Sequence, residues 1–531
     1  MTVRISPLNL SLLEEESALQ EKAAEILQVS LNDLRDFRII KKSLDARRKN
    51  RIHFAYAVEF SLPPEREESL LRQPPPSLQV EEVPPKTVQS PPILKSKPRH
   101  RPLIVGTGPA GLFAAWKLTQ SGLPPLILER GREVSARVKD VNRFWEEGIL
   151  EDESNVQFGE GGAGTFSDGK LFTRLNDPHI SEILEAFVRF GAPPEIQYLQ
   201  RPHIGTDRLR RVVAAMRRFL QEQGAEFRFQ AKLSGLKISK SRLEGAVING
   251  REEVDGSLLF LAPGHSARDT YRMLHRAGVA MEPKPFAMGL RIEHPQRLID
   301  RIQYGPSAGH PCLPPAEYQL THRTPKGRAV YSFCMCPGGA VIGSSSERGT
   351  MVTNGMSYFR RNSPWANSAL VVNVGKEDFG GEDALAGLEF QRRWEEKAFQ
   401  LGGGNFRAPA QAVFDFLEKR DPRPCPETSF RPGVTPARLE ECLPRFIVES
   451  LREAIPFFDR KMRKFSSKEA MLMGVETRTS SPVRILRRDD YHSLNVPGLL
   501  PIGEGSGYAG GIISSALDGM KAAEAALKKW E

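Results

Sequence analysis

Apolar and polar residues alternate along "RIHFAYAVEF", placing Ile52, Phe54, Tyr56, Val58 and Phe60 on one face with the period of a half-buried strand. Upstream, a short strand is expected near Val3 to Ile5, and "LLEEESALQEKAAEILQ" has helical spacing, so residues 1–62 read as a small α/β unit. The pattern stops at Pro63. Proline runs and a scarcity of aromatics make residues 63–100 read as an extended linker without a core of its own. Order resumes at Arg101, where "RPLIVGTGPAGLFAAWKLTQSGLPPLILERG" predicts strand, tight turn, helix and strand. In "TDRLRRVVAAMRRFLQEQG", Leu209, Val212, Val213, Met216, Phe219 and Leu220 share one helical face, with Arg210, Arg211, Arg217 and Arg218 opposite as a solvated exterior. Strands are expected in "AEFRFQAKLSGLKIS", "LEGAVING" and "SLLFLAPG". From 285 to 468 the pattern is mixed: strand-like "FAMGLRIEH", "AVYSFCMCPGGAVIG" and "SALVVNVG" surround a helical "LAGLEFQRRWEEKAFQL", as in an inserted domain.

Three stretches carry GxGxxG spacing: Gly106, Gly108 and Gly111; Gly159, Gly161 and Gly164; and Gly505, Gly507 and Gly510. Spacing alone is weak, and context separates them. The first follows the strand Leu103 to Val105 and opens a helix, so that Gly106 permits the turn, Gly108 admits a pyrophosphate and Gly111 lets helix pack on strand. Thr107, Pro109 and Ala110 complete that loop, and the helix start offers unpaired N–H groups to phosphates. Glu129 lies 18 residues beyond Gly111 at a strand end, where an acid can bind the adenosine ribose. Arg130 beside it is placed either to touch a ribose phosphate or to face solvent. The second stretch is followed by "TFSDGKLFTRL" rather than a helix, and reads as a backbone loop rich in N–H groups. The third sits between a strand and a helix from Ile512, with no later strand to supply a ribose acid.

Composition adds bounds rather than identity. The hydrophobic content of 40% and charged content of 26% are those of a globular chain, no run of about 20 apolar residues spans a bilayer, and the first residues do not read as a signal peptide; a cytoplasmic location is expected. Five cysteines at irregular spacing exclude a disulfide framework, and no CxxC pair suggests a metal site. A net charge of +10 favours an anionic partner only weakly over 531 residues.

Longer motifs carry a family resemblance. "GTGPAG" with Glu129, "LAPGHSARD" at Leu261 to Asp269, and "LPIGEGSGYAGGIISSALDGMKAAEAA" resemble the three FAD contacts of the glutathione-reductase-like flavoproteins. "NVQFGEGGAGTFSDGKL", "KPFAMGLRIEHPQ", "VYSFCMCPGG" and "GVETRTSSPVRI" are similar, more closely, to a family of FAD-dependent dehydrogenases of bacteria and plastids whose substrates are uncharacterised. The resemblance implies an α/β fold: a Rossmann-like FAD-binding domain in two parts, 101–284 and 469–531, interrupted by a mixed α+β substrate domain at 285–468 and preceded by the small unit at 1–62 and its linker. It implies that the three loops touch one FAD. Gly161, Gly162, Thr165, Ser167 and Asp168 would lie along the pyrophosphate and flavin, with Ala262 and Gly264 as the middle contact. Gly503 and Glu504 would meet the ribityl or pyrophosphate region, where the superfamily more often has aspartate, and Gly510, Gly511 and Ile512 would aim a helix end at the flavin.

Candidates for chemistry are fewer. Cys334 and Cys336 stand two apart on an expected strand, in an arrangement read as buried packing before a redox pair. His265 follows a strand-ending glycine as a proton donor, a cap or a cofactor contact. Arg478 and Arg484, with Ser480 and Ser481, suit either a substrate carboxylate or phosphate, or structural ion pairs. The expectation is an FAD-dependent oxidoreductase acting on a small molecule, with NAD(P)H as a transient visitor because only one fingerprint is complete. An RNA-acting flavoprotein, suggested by the charge and the arginine-faced helix, and an FAD-binding sensor recruiting a protein partner through its N-terminal unit are the alternatives.

Overall fold

The computed structural model describes residues 2–84 and 94–530. It divides into two compact units, one of Met1–Ser90 with Pro193–His203 and Arg297–Ala316, the other of Pro91–Ala192, Ile204–Gln296 and Glu317–Glu531.

In the first unit the alternating segment is the strand His53–Ser61, inside an antiparallel sheet ordered Arg35–Asp45, His53–Ser61, Thr2–Ser11, Gln79–Val83. Tyr56, Val58 and Phe60 pack with Val3, Ile5, Leu8 and Leu10 beneath Leu19 and Ala23 of the helix Ala18–Leu27. On the other face Glu59 is clamped between Arg4 at 2.7 Å and Arg38 at 2.6 Å. The linker expected at 63–100 is corrected in its first part. Pro64 starts a helix, Pro64–Arg72, as proline can where no N–H is needed, and Gln79–Val83 then pairs antiparallel with the first strand, Val80 opposite Ile5. Residues 85–93 of that linker lie outside the described residues. Two segments that sequence patterning assigned to later domains, Pro193–His203 and Arg297–Ala316, belong to this unit; the Lys42 N–H donates to the Tyr198 carbonyl at 2.8 Å.

The second unit holds a five-stranded parallel sheet ordered Leu499–Pro501, Leu259–Leu261, Leu103–Val105, Leu126–Leu128, Glu226–Arg228. The first four are short, buried apolar runs, as strands covered on both faces must be. The helix Pro109–Gln120 crosses the final helix Ile512–Leu527 so closely that a Cβ on Gly519 would sit 2.0 Å from the Ala110 carbonyl oxygen. Arginines on the helix Gly205–Glu222 depart from the expected solvated face: Arg217 pairs with Glu160 at 2.6 Å, and Arg210 lies over the Phe166 ring at 4.3 Å, leaving Arg211 and Arg218 exposed.

A seven-stranded sheet, ordered Thr321–Arg323, Ala329–Cys336, Trp365–Val374, Phe286–Pro295, Met471–Glu476, Ala408–Ala412, Val434–Pro436, is accompanied by smaller sheets, among them the pair Ala340–Gly343 and Thr353–Met356. Every residue of Phe286–Pro295 is buried. The sheet therefore runs past 468, the boundary expected for the inserted domain, because Met471–Glu476 is one of its inner strands. Among the described residues, no helix is long and apolar enough to cross a membrane.

Candidate functional site

One cavity collects the carboxyl ends of four parallel strands, the loops that follow Val105, Leu128, Leu261 and Pro501, and closes against the seven-stranded sheet. Ligands of open parallel sheets bind at these strand ends.

The first loop is built as its spacing requires. Gly106 has φ +97°, and a Cβ there would lie 2.2 Å from the Ala262 carbonyl oxygen; at Gly111 it would lie 1.9 Å from the Gly106 carbonyl oxygen. Gly111 thus serves packing and does not line the cavity, while Gly106, Thr107, Gly108, Pro109 and Ala110 do. The helix Pro109–Gln120 has no side-chain cap, so its first N–H groups and the positive end of its dipole remain available to an anion.

Glu129 lines the cavity with an unforeseen task. Its Oε2 accepts from the Thr107 N–H at 2.9 Å and hydroxyl at 2.6 Å, and its Oε1 from the N–H groups of Gly131 at 2.9 Å and Gly159 at 3.1 Å. The acid ties three loops together. Arg130 neither faces solvent nor stands free for a phosphate: it pairs with Glu153 at 2.7 Å and Asp269 at 2.9 Å and lies over the Phe158 ring.

The glycine-rich second stretch is a loop with a single 3₁₀ turn, Ala163–Phe166. Its organiser escaped sequence reading. Arg137, fully buried, donates to the carbonyls of Asn155, Val156, Gly159, Glu160 and Gly162, and burial pulls its guanidinium down to about 9. Five carbonyls pointing at one cation turn the loop's N–H groups the other way, and only a helix spacing from Val134 to Glu147 hints at it. Gly162 and Ser167 line the cavity. Gly161, Thr165 and Asp168 do not, contrary to expectation: Gly161 packs on Thr165 and Val213, Thr165 is buried with its hydroxyl on the Glu160 carbonyl, and Asp168 is buried against Lys170 at 2.8 Å and Arg361 at 3.0 Å.

Ala262, Gly264 and His265 line the middle. Burial, with Arg478 and Arg268 nearby, pulls His265 down to about 3, so the ring is neutral and is a poor source of a proton. Its Nδ1 lies 2.8 Å from the Ser266 hydroxyl. Gly503, Glu504, Gly510, Gly511 and Ile512 line the far end, where the helix Ile512–Leu527 also begins without a side-chain cap. Burial pushes the Glu504 carboxyl up to about 7, opposed by Lys284.

The opposite wall comes from the antiparallel sheet, with Phe333, Cys334 and Glu476, from the segment that follows Glu476, with Arg478 and Thr479, and from Asn354 on Thr353–Met356, a strand of a separate two-stranded sheet. Of these only Cys334 and Arg478 were singled out, since the others become neighbours only in the folded chain. Arg291 anchors the wall, donating to Glu476 at 2.8 Å, Asn354 at 3.0 Å and the Cys334 carbonyl at 3.0 Å. Arg478 is committed elsewhere: Glu395 takes its Nη2 at 3.0 Å and Ser346 its Nη1 at 2.6 Å. Ser481 faces Tyr271, and Arg484 pairs with Glu282, so the anion clamp imagined for these residues is not assembled. Cys336 is buried behind the wall and does not line the cavity.

These surroundings fit FAD. Two uncapped helix starts supply N–H donors and positive potential at separate parts of one cavity, and a Cβ on Gly264 or Gly510 would meet open space. Among the described residues no cluster of His, Cys, Asp and Glu could hold a metal ion.

Comparison with known proteins agrees. Residues 285–479 match the family described as FAD-dependent protein, C-terminal domain-like; residues 104–168 match an NAD(P)-binding Rossmann-like domain, and residues 2–61 a domain of unknown function. A protein of Clostridium beijerinckii, named only as uncharacterized, is 46% identical over 535 residues, covering 100% of this chain and 99% of its own. Among solved structures, 3-ketosteroid Δ1-dehydrogenase from Sterolibacterium denitrificans aligns over 81% of this chain and 99% of its own at 11% identity, TM-score 0.37. L-amino acid deaminase from Proteus vulgaris aligns over 82% and 95% at 11% identity, TM-score 0.36.

Proposed function

This chain belongs to the FAD-dependent oxidoreductase family, and we propose that it oxidises or reduces a small organic molecule bound between the flavin and the wall of Phe333, Asn354, Glu476 and Thr479. One observation carries the reading: a single cavity is lined both by the nucleotide loops at the parallel strand ends and by side chains of the antiparallel sheet. A cofactor laid along the first would present its reactive end to the second.

When bound, FAD supplies two-electron hydride chemistry. The chain's residues do the holding. The loop from Gly106 to Ala110 and the helix behind it would hold the pyrophosphate, and Glu129 keeps that loop tied to Gly159. The start of the helix Ile512–Leu527 would bring positive potential to a bound flavin and so favour its reduced, more negative form by about 1 kcal/mol. Asn354, held by Arg291, and Thr479 are the uncharged polar groups placed to orient a substrate, while Phe333 and Ile512 limit water. NADPH or NADH serves, in this reading, as a transient visitor, supported by the single complete fingerprint.

The test is the absorbance spectrum of the purified protein, recorded anaerobically before and after adding NADPH and then NADH. A bound-flavin spectrum that bleaches supports a pyridine-nucleotide-driven reductase. A flavin that stays oxidised makes the substrate the reductant. No flavin after reconstitution with FAD overturns the reading.

A further inference from the structure

The strand Ala329–Cys336 does not run regularly to its end. Phe333 pairs with Ala369 and Cys336 with Asn367, so two residues, Cys334 and Met335, bulge opposite one. Cys334 takes φ +44°, a left-handed conformation rare for a residue with a side chain. The bulge has two consequences. It places Cys334 in the wall of the cavity, and it brings the Cys336 Sγ to 3.3 Å from the Cys334 carbonyl oxygen.

The bulge is fixed by buried cations. Arg291 donates to the Cys334 carbonyl at 3.0 Å, and Lys170 donates to the Met335 carbonyl while pairing with Asp168 at 2.8 Å. Cys336 Sγ lies 3.3 Å from the Cys334 carbonyl oxygen, fully enclosed. The hydrogen bond from Cys336, together with Lys170 and Arg291, holds the Cys334 thiol below its ordinary range, while burial pushes Cys336 well above. One thiol thus belongs to the cavity wall, beside Lys170 and Arg291, and the other is enclosed behind it. That division of labour suits an attacking and a resolving sulfur.

We propose that Cys334 and Cys336 are a redox-active dithiol that exchanges two electrons with the flavin. The inference rests on the reading of the cavity as the FAD site. On oxidation the two S–H bonds break and one Sγ–Sγ bond forms, and the two electrons and two protons pass to oxidised FAD; the reverse step cleaves the disulfide at the expense of reduced FAD. The exposed Cys312, remote in sequence, provides an internal control.

The experiment is a reductive titration of the FAD-loaded protein after mild oxidation with diamide and removal of the reagent, combined with peptide mapping after alkylation. Wild type is expected to take up two electrons beyond those the flavin takes, and to yield a peptide in which Cys334 and Cys336 are joined, with two hydrogens lost. Cys336→Ser is expected to lose the additional uptake and keep the flavin spectrum, and Cys334→Ser to lose the additional uptake. At pH 6, Cys334 in the reduced apoprotein is expected to alkylate about tenfold faster than Cys312. Uptake confined to the flavin, with both cysteines recovered as free thiols after diamide, overturns the proposal. Peptide mapping of wild type needs no variant, so a substitution that fails to fold leaves the decision intact. Absence of flavin with a joined Cys334–Cys336 peptide would count against the cofactor and not against the thiol pair; flavin with unreactive thiols would do the opposite.

Discussion

Thr107 and Glu129 are joined twice: both the backbone N–H and the hydroxyl of Thr107 donate to one carboxylate oxygen, at 2.9 and 2.6 Å. The other oxygen accepts from Gly131 and Gly159. Glu129 is therefore the knot that ties the glycine loops together.

Glu129→Gln keeps the shape but turns an amide NH2 toward at least two buried donors. Each such donor left unpaired costs about 1–3 kcal/mol, so a loss of about 2–6 kcal/mol is expected, with FAD retention falling alongside. Chemical denaturation and the flavin absorbance of the purified variant measure the two effects separately.

Two glycines that look equivalent in the sequence should behave differently. Gly111→Ala places a methyl 1.9 Å from a backbone oxygen, and no neighbour can yield; the variant should fail to accumulate as folded protein. Gly510→Ala meets nothing within 4 Å, so stability should change by less than about 0.5 kcal/mol. Because Gly510 lines the cavity, FAD affinity should nevertheless drop about tenfold, a change of ~1.4 kcal/mol. An unchanged affinity would remove Gly510 from the cofactor's path.

Glu395, fully buried, binds Arg268 at 2.8 Å and Arg478 at 3.0 Å behind the cavity wall. Breaking a buried pair leaves an uncompensated charge and costs about 3–5 kcal/mol. Glu395→Gln should lose about that much, since Arg478 is left without a carboxylate while Arg268 keeps only Glu347, and the melting temperature reports it. Should the variant melt like the parent, the cluster is not holding the wall in place.

The nucleotide half of the site was legible because each element there obeys a local rule: an apolar three-residue strand, glycines where only glycine fits, a helix directly behind. The other half was not. Asn354, Glu476 and Thr479 come from a two-stranded sheet, an inner strand of the seven-stranded sheet and the segment after that strand, and no local period encodes their meeting. The setting of Cys334 was hidden for a related reason: the bulge that carries it is held by Arg291 and Lys170, which stand far away in sequence. The helix Pro64–Arg72 was hidden by prolines that read as linker although one of them starts it. Asp168 sat in a motif correctly placed as a loop, yet besides Lys170, two residues on, its partners include Ser357 and Arg361, which stand far along the chain.

Glu293 gives a pH signature. Burial pushes its carboxyl from 4.5 up to about 7 even though the Ser429 N–H donates to it at 2.9 Å. Between those two values the folded protein binds the proton more tightly than the unfolded chain does. Stability must then fall as pH rises through the window, the contribution being complete below about 4.5 and gone above about 7. Glu504, also pushed up to about 7, acts with the same sign. Glu293→Gln should flatten the fall in melting temperature between pH 5 and 7.5 without moving FAD binding, since Glu293 lies outside the cavity. Glu504→Gln should flatten it as well and make FAD affinity less dependent on pH across the same interval, because this carboxyl faces the cofactor space. A melting profile equally steep in the double variant and the parent would show that neither carboxyl takes up a proton on folding.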